Sequence, residues 1–563
     1  MSVDGGPAVV VRALECTYPE TSAPALAALD LTIPAGAVVV VMGASGAGKS
    51  TLARCLTRIV PGFVPADVRG EILLAGASVA GKRVGELAGT IGMVFQDFEA
   101  QLFSTDVTQE VIFALEHTGV PPGEMRARMQ AALAAVGLAG FEGRDPTTLS
   151  GGEKQRLAIA GVLALRPPIM VLDEPTTDLD PEGRHDLYDV IATLRAEGLA
   201  LLVIEHDVEA ARDADELILL REGRVAARGR PAAILADVNQ CARVGVRPPD
   251  VCRVFAALGL PDPPAEVEDA AARMRAAGRV PKPPATLPEP APTGPPLIET
   301  RRLGHRYATG RQALADVSLT IRAGEFVAVI GRNGSGKTTL VKHLVGLLAP
   351  TTGEVRLAGL SVAELALEDL AQRVGYVFQD PDHQLFAETI AEEVAFGPRS
   401  IGLPPLEIEA RVAEALAATD LTERDADPFL LDKGVRQRLA VAAVLALRPP
   451  ILVLDEPMTG LDHPEQLRML SLLRSLHAAG RTILIITHTP WVIAEHAERV
   501  LLLDDGRLRY DGPPRPFFAD DALVGAASFR PPEVTRLGRL LGCTPLSVDE
   551  LVTWTRPVEG TWP

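Results

Sequence analysis

Cysteine is scarce in this chain of 563 residues: there are five, at positions 16, 55, 241, 252 and 543, with no Cys-x-x-Cys spacing. An odd, scattered set argues against a disulfide framework and a structural zinc, and fits a reducing compartment. Long apolar runs are missing too. A membrane-spanning helix needs roughly 18 apolar residues in a row, and the longest candidate, from Leu157 into Leu172, is broken by Arg166-Pro167-Pro168. The amino terminus (MSVDGGPAVVVRALE) has no basic segment followed by a long apolar core, so no signal peptide is expected. Positive charge is in deficit: 55 Lys and Arg against 73 Asp and Glu leave a net charge of -18. So acidic a chain is ill suited to gripping a phosphate backbone through a general basic surface, and nucleic acid is not an expected partner. The expected location is the cytosol, or the cytosolic side of a membrane.

What is present is a folded composition, 47% hydrophobic and 23% charged, which excludes global disorder. The length implies more than one domain, and internal repetition shows how they are arranged. VMGASGAGKSTL at 41–52 returns as VIGRNGSGKTTL at 329–340, VFQD at 94–97 returns at 377–380, and VLDEP at 171–175 returns at 453–457. Lys49 and Lys337 are 288 residues apart, and Glu174 and Glu456 are 282 apart. The repeat therefore fills the chain. Even the segments after each half match, Arg247-Pro248-Pro249-Asp250-Val251 against Arg530-Pro531-Pro532-Glu533-Val534.

Between the halves, residues 261–296 hold eleven prolines in 36 positions. Proline removes a backbone donor and fixes φ, so this stretch reads as a semi-rigid, extended linker, with a short helix expected near Ala265–Ala277. The expected domains are 8–236 and 297–518, each followed by an extension, 237–260 and 519–563. Within each half, short apolar runs alternate with Ala- and Leu-rich helical patterns. Ala37–Met42, Ile169–Leu172, Leu201–Ile204, Phe326–Ile330, Ile451–Leu454 and Ile483–Ile486 read as buried strands. Continuous apolar strands separated by helices predict an α/β fold, twice, with a mostly parallel sheet covered on both faces.

Two phosphate-binding loops follow such strands and open helices: Gly43-Ala44-Ser45-Gly46-Ala47-Gly48-Lys49-Ser50-Thr51 and Gly331-Arg332-Asn333-Gly334-Ser335-Gly336-Lys337-Thr338-Thr339. Glycines let backbone N–H groups close around a β-phosphate, and the helix N-terminus adds polarity of the right sign. Lys49 and Lys337 would reach the β/γ-phosphates, while Ser50 and Thr338 would ligate Mg²⁺. One isolated match could be a glycine-rich turn. Two in register are not.

Asp173-Glu174 and Asp455-Glu456 end buried strands, where a carboxylate is costly unless it faces a cation. The aspartates fit metal support, and the glutamates fit bases that polarise water for attack on a γ-phosphate. His206 and His488 follow the next strand and could hold that water. Gln96 and Gln379 could sense metal or water. Tyr18 and Tyr307 lie 31 and 30 residues before the phosphate-loop lysines. They could stack on adenine or serve simple packing.

With Leu149-Ser150-Gly151-Gly152-Glu153-Lys154-Gln155-Arg156 the sequence resembles the ATP-binding cassette (ABC) ATPases, whose signature this is. Leu179-Asp180 and Leu461-Asp462 take their family places as well. The resemblance implies two tandem P-loop ATPase domains, each with an inserted helical subdomain. In that family two cassettes clamp ATP head to tail, here as an intramolecular cassette dimer. The segments VFQDFEAQLFSTDVTQEVIFA and VFQDPDHQLFAETIAEEVAFGP are similar to those of energy-coupling factor (ECF) transporter ATPases. Those ATPases energise import of vitamins, vitamin precursors or transition-metal ions. The partners implied are a membrane scaffold subunit and a substrate-binding membrane subunit, with this chain peripheral on the cytoplasmic face. Asp97, Glu99, Asp380 and Asp382 would receive basic residues of the scaffold.

The second half departs from the signature: Leu431-Asp432-Lys433-Gly434-Val435-Arg436-Gln437-Arg438 stands where the first has LSGGEKQR. A carboxylate is repulsive to a γ-phosphate, and a lysine side chain crowds a place for bare backbone. The family pattern would then join Lys49, Glu174 and His206 to the altered Asp432–Gly434. It would join Lys337, Glu456 and His488 to the intact Ser150, Gly151 and Gly152, which should carry most hydrolysis. A KGxRQR variant is similar to that of tandem ECF ATPases assigned to thiamine or its pyrimidine precursor, with cobalt, nickel, biotin and other vitamins left open. A competing class, soluble tandem cassettes acting on ribosomes or DNA, usually carries a charged helical linker or basic arm. This chain has neither.

Overall fold

The computed structural model describes residues 6–19, 21, 23–177, 179, 181–285 and 294–555. The chain divides into two compact units, residues 1–253 with 462–464, and residues 254–461 with 465–563.

In the first unit a six-stranded sheet runs in the order Arg224–Gly229, Glu216–Arg221, Val38–Met42, Ala200–Ile204, Ile169–Asp173, Ile91–Val94. Its neighbours are parallel except for the antiparallel edge pair Glu216–Arg221 and Arg224–Gly229. Every residue of Val38–Met42 is buried. Val38, Val40 and Met42 enter one apolar core and Val39 and Val41 another, so the strand is covered on both faces. That explains an uninterrupted apolar run in place of alternation. The second unit repeats this with Val374–Val377, Ile451–Asp455, Thr482–Ile486, Phe326–Ile330, Arg499–Asp504 and Arg507–Gly512. There Phe326, Ala328 and Ile330 face one core and Val327 and Val329 the other.

Each unit adds a sheet that the apolar runs did not predict. Leu26–Pro34, Pro7–Thr17, Asp67–Leu74 and Ala77–Ser78 form a four-stranded antiparallel sheet, matched by Gln312–Arg322, Pro296–Arg306, Thr352–Leu357 and Leu360–Ser361. Three helices insert between the strand that precedes Gln96 or Gln379 and the acidic strand. They are Val107–His117, Pro122–Ala135 and Gly151–Leu163 in the first unit, and Ile390–Ser400, Pro405–Ala418 and Lys433–Leu445 in the second.

The proline-rich stretch is not a bare spacer. Its helix, Val267–Ala276, buries Val267, Ala270, Ala271 and Met274 and packs on the helix Glu533–Leu540. Arg275 donates to the Leu540 carbonyl, and Lys282 N–H donates to the Trp554 carbonyl at 2.7 Å. Burial of the apolar stripe holds this part of the chain on the C-terminal extension, and no free span of 36 residues remains. Residues 286–293 of the expected linker, and Asp180, lie outside the described residues. No helix among the described residues is long and apolar enough to cross a membrane.

Candidate functional site

Each phosphate loop leaves the end of a fully buried strand and turns into a helix, Lys49–Leu56 or Lys337–Leu344. The first N–H groups of a helix have no intrahelical partner, so they are free to face an anion. The turn itself requires glycine. Gly48 and Gly336 take φ of 98° and 103°, and a Cβ there would stand 2.4 Å from the Ala25 carbonyl oxygen or 2.5 Å from that of Ala313. No side chain fits. Lys49 Nζ, buried, donates to the Gly43 and Ala44 carbonyls at 2.9 and 3.0 Å. Lys337 does the same to Gly331 and Arg332 at 2.8 and 2.9 Å. Burial pulls the Lys49 ammonium below its ordinary pKa, while Glu174, Asp462, Asp173 and Glu205 oppose this.

Ser50 Oγ donates to Asp173 Oδ1 at 3.2 Å, and Thr338 stands close enough to Asp455 to favour its charged form. Each fold thus brings the loop hydroxyl alongside the strand-end aspartate expected to support the same metal. Burial, with Glu174 beside it, pushes Asp173 up to about 6. Asp455 is raised for the same two reasons, burial and Glu456. Two adjoining carboxylates in a low-dielectric pocket, next to a hydroxyl, are hard oxygen donors short of positive charge. A divalent cation such as Mg²⁺ fits them.

The glutamates sit in strained backbone. Glu174 has φ of 49° and Glu456 of 46°, held by N–H bonds to the Ile204 and Ile486 carbonyls at 2.9 and 3.0 Å. Non-glycine residues in this region mark sites where the surroundings over-determine the backbone. Glu174 receives Gln96 Nε2 at 2.7 Å and lies 2.9 Å from His206 Nε2. Two residues distant in sequence therefore converge on one carboxylate. In the second unit His488 Nε2 lies 3.2 Å from Glu456, and Thr459 donates to it at 3.1 Å. Burial alone would raise Glu456. The adjacent His488, the Lys337 charge and the Thr459 hydroxyl together outweigh it and leave the carboxyl below its usual value. Gln379 is exposed, and among the described residues no hydrogen bond joins it to Glu456.

Tyr18 and Tyr307 meet the loop-following threonines, Thr51 at 3.2 Å and Thr339 at 3.0 Å. Tyr18 lines a cavity of about 630 Å³ with Glu15, Pro65, Asp67 and Arg69. Ser150 caps the signature helix in a reciprocal box: Glu153 N–H donates to its Oγ at 3.3 Å, and its own N–H donates to Glu153 Oε2 at 2.7 Å. Gly151 is open on its Cβ side, and a Cβ on Gly152 would come no closer than 3.7 Å to a neighbour. Asp432, at the same position of Lys433–Leu445, makes no side-chain cap. A Cβ on Gly434 would stand 2.7 Å from Glu465, which also pairs with Arg438 and Arg468.

Of the acids expected to meet basic partners, Glu99 already pairs with Lys154 at 2.7 Å and Asp382 with Arg436 at 2.9 Å. Asp97 and Asp380 accept backbone N–H groups of their own turns. The sequence reading also missed Glu205, buried, which accepts the Thr176 N–H at 2.9 Å and the His206 N–H at 3.1 Å. It missed Tyr376 as well, whose hydroxyl donates to Asp455 Oδ2 at 3.1 Å. Setting the halves side by side would have found both: VIEHD faces IITHT, and GMVFQD faces GYVFQD.

A family model described as ABC transporter matches residues 26–177 and 314–459. A protein of Caldanaerobacter subterraneus subsp. tengcongensis, assigned as an ABC transporter ATP-binding protein, is 41% identical, over 97% of this chain and 99% of its own. One of Methanosarcina acetivorans, assigned in the same words, is 37% identical over 98% and 93%. Among solved structures, cbiO1 from Clostridium perfringens, part of the ABC transporter complex cbiONQ, is 31% identical with a TM-score of 0.39, over 44% of this chain and 99% of its own.

Proposed function

The chain belongs to the ABC transporter family of ATP-binding proteins, and from that premise we propose that it is the energising subunit of an ECF-type importer. It is an ATP hydrolase with two cassettes in one chain. In each, the loop N–H groups and Lys49 or Lys337 bind the phosphates. Ser50 with Asp173, and Thr338 with Asp455, would hold Mg²⁺, which screens phosphate charge. Glu174 and Glu456 take the proton of the attacking water, while His206 and His488 orient it.

One observation carries the importer reading. In the segments that resemble ECF ATPases, each cassette presents an exposed aromatic pair. Phe103 and Phe113 meet edge to face with centroids 4.5 Å apart, and Phe386 and Phe396 do so at 4.7 Å. These rings are 39% to 61% exposed. Exposed apolar clusters beside polar surroundings mark partner sites. The partner is a membrane scaffold that offers a short amphipathic helix to each pair, with a second membrane subunit selecting a vitamin, a thiamine-related precursor or a metal ion. Replacing Phe386 and Phe396 by Ser should abolish co-purification with a co-expressed scaffold while ATP binding persists. Undiminished complex recovery would remove the basis for the importer reading.

A further inference from the structure

In the second cassette the carboxylate on the metal side has a donor that the first cassette lacks. Val374–Val377 lies parallel to Ile451–Asp455 with Tyr376 level with Val453. From there its hydroxyl reaches Asp455 Oδ2 at 3.1 Å. The ring is fixed edge-on against Phe378, centroids 4.9 Å apart. A phenol keeps its proton at neutral pH, so the hydroxyl donates and the carboxylate accepts. The first cassette has the same register, with Met93 level with Val171. A thioether has no proton to give. Met93 instead lies 3.8 Å from the Thr57 hydroxyl, facing away from this task. Asp173 has the Ser50 hydroxyl at 3.2 Å and, among the described residues, no tyrosine.

We propose that Tyr376 is a positioning residue for the divalent cation of the second cassette, fixing the plane of the Asp455 carboxylate so that it meets the metal already aligned. This rests on the Mg²⁺ reading given above. Groups that hydrogen-bond a metal-supporting carboxylate set its orientation, and their removal typically weakens metal binding by about 10–100-fold. The two cassettes therefore differ in cation affinity, the second being the tighter.

The test uses the full chain carrying Lys49→Ala, which silences nucleotide binding at the first cassette. Mn²⁺ is titrated in the presence of a non-hydrolysable ATP analogue, and free Mn²⁺ is read by electron paramagnetic resonance. Tyr376→Phe should weaken Mn²⁺ binding about tenfold, with analogue affinity in EDTA unchanged. Tyr376→Met, which copies the first cassette, should do the same. Unaltered Mn²⁺ affinity in both variants would overturn the proposal. So would a parallel loss of analogue affinity in EDTA, which would make Tyr376 a packing residue. If the parent itself binds the analogue but no Mn²⁺, the metal reading fails, and the proposal falls with it.

Discussion

Replacing Glu205 by Gln should flatten the pH dependence of the first unit's stability. The carboxyl is 2% exposed, and burial raises its pKa from 4.5 to about 7 despite two backbone N–H donors. A carboxyl raised on folding binds more protons in the folded state than in the unfolded one between those two values. Stability is therefore full below about pH 4.5 and falls as pH rises through 7. At about 1.4 kcal/mol per unit the loss reaches about 3 kcal/mol. Gln keeps an acceptor for Thr176 but turns its amide toward the His206 N–H, costing about 1 kcal/mol at every pH. The assay exploits an accident of composition: all three tryptophans, at 491, 554 and 562, lie in the second half. Urea unfolding followed by tryptophan fluorescence reports that half, while circular dichroism reports both. Between pH 5.5 and 8.5 the wild-type dichroism transition should shift to lower urea, and Glu205→Gln should abolish most of that shift without moving the fluorescence transition. A variant with the wild-type slope would show that Glu205 is not the titrating group.

Gly48→Ala forces a Cβ to within 2.4 Å of the Ala25 carbonyl, so it should cost about 1–3 kcal/mol and lose nucleotide binding at the first cassette, measured by calorimetry in a Lys337→Ala background. Asp432→Ser with Lys433→Gly should restore the cap that Asp432 does not make and raise steady-state ATP turnover severalfold; an unchanged rate would show that the altered signature is not limiting. Met274→Ala removes a fully buried side chain from the linker helix and should destabilise the tryptophan-reporting transition by about 2–5 kcal/mol, whereas a detached spacer would lose nothing.

The buried strands were legible because a strand covered on both faces must be apolar throughout, as Val38–Met42 is. The antiparallel sheets escaped notice because they are half-buried. Leu26–Pro34 alternates buried and exposed residues over most of its length, and such alternation in LAALDLTIP is interrupted by an extra alanine. The phosphate loops, acidic strand ends and histidines were readable as motifs, since each chemistry demands a residue type at a fixed spacing. Their bonding was not. Gln96 and Gln379 occupy identical motifs, yet only Gln96 meets its glutamate. Motifs record residue identity, whereas a rotamer depends on neighbours from other segments. The bonds of Tyr376 and Glu205, though not the residues themselves, were hidden for a related reason, because their partners Asp455 and Thr176 lie on separate strands or turns that only the folded sheet brings alongside.

The left-handed backbone at Glu174 and Glu456 separates two properties that usually fail together. Holding a non-glycine residue there costs roughly 1–2 kcal/mol. Glycine at either position would relieve the strain while deleting the base. If these glutamates are the bases, the resulting cassette would be idle, and the strain relieved would offset part of what is lost with the Gln96 and His206 contacts, so chaperones and proteases would have little reason to remove it. Cellular abundance would then be nearly blind to the defect, and only an activity measurement would reveal it.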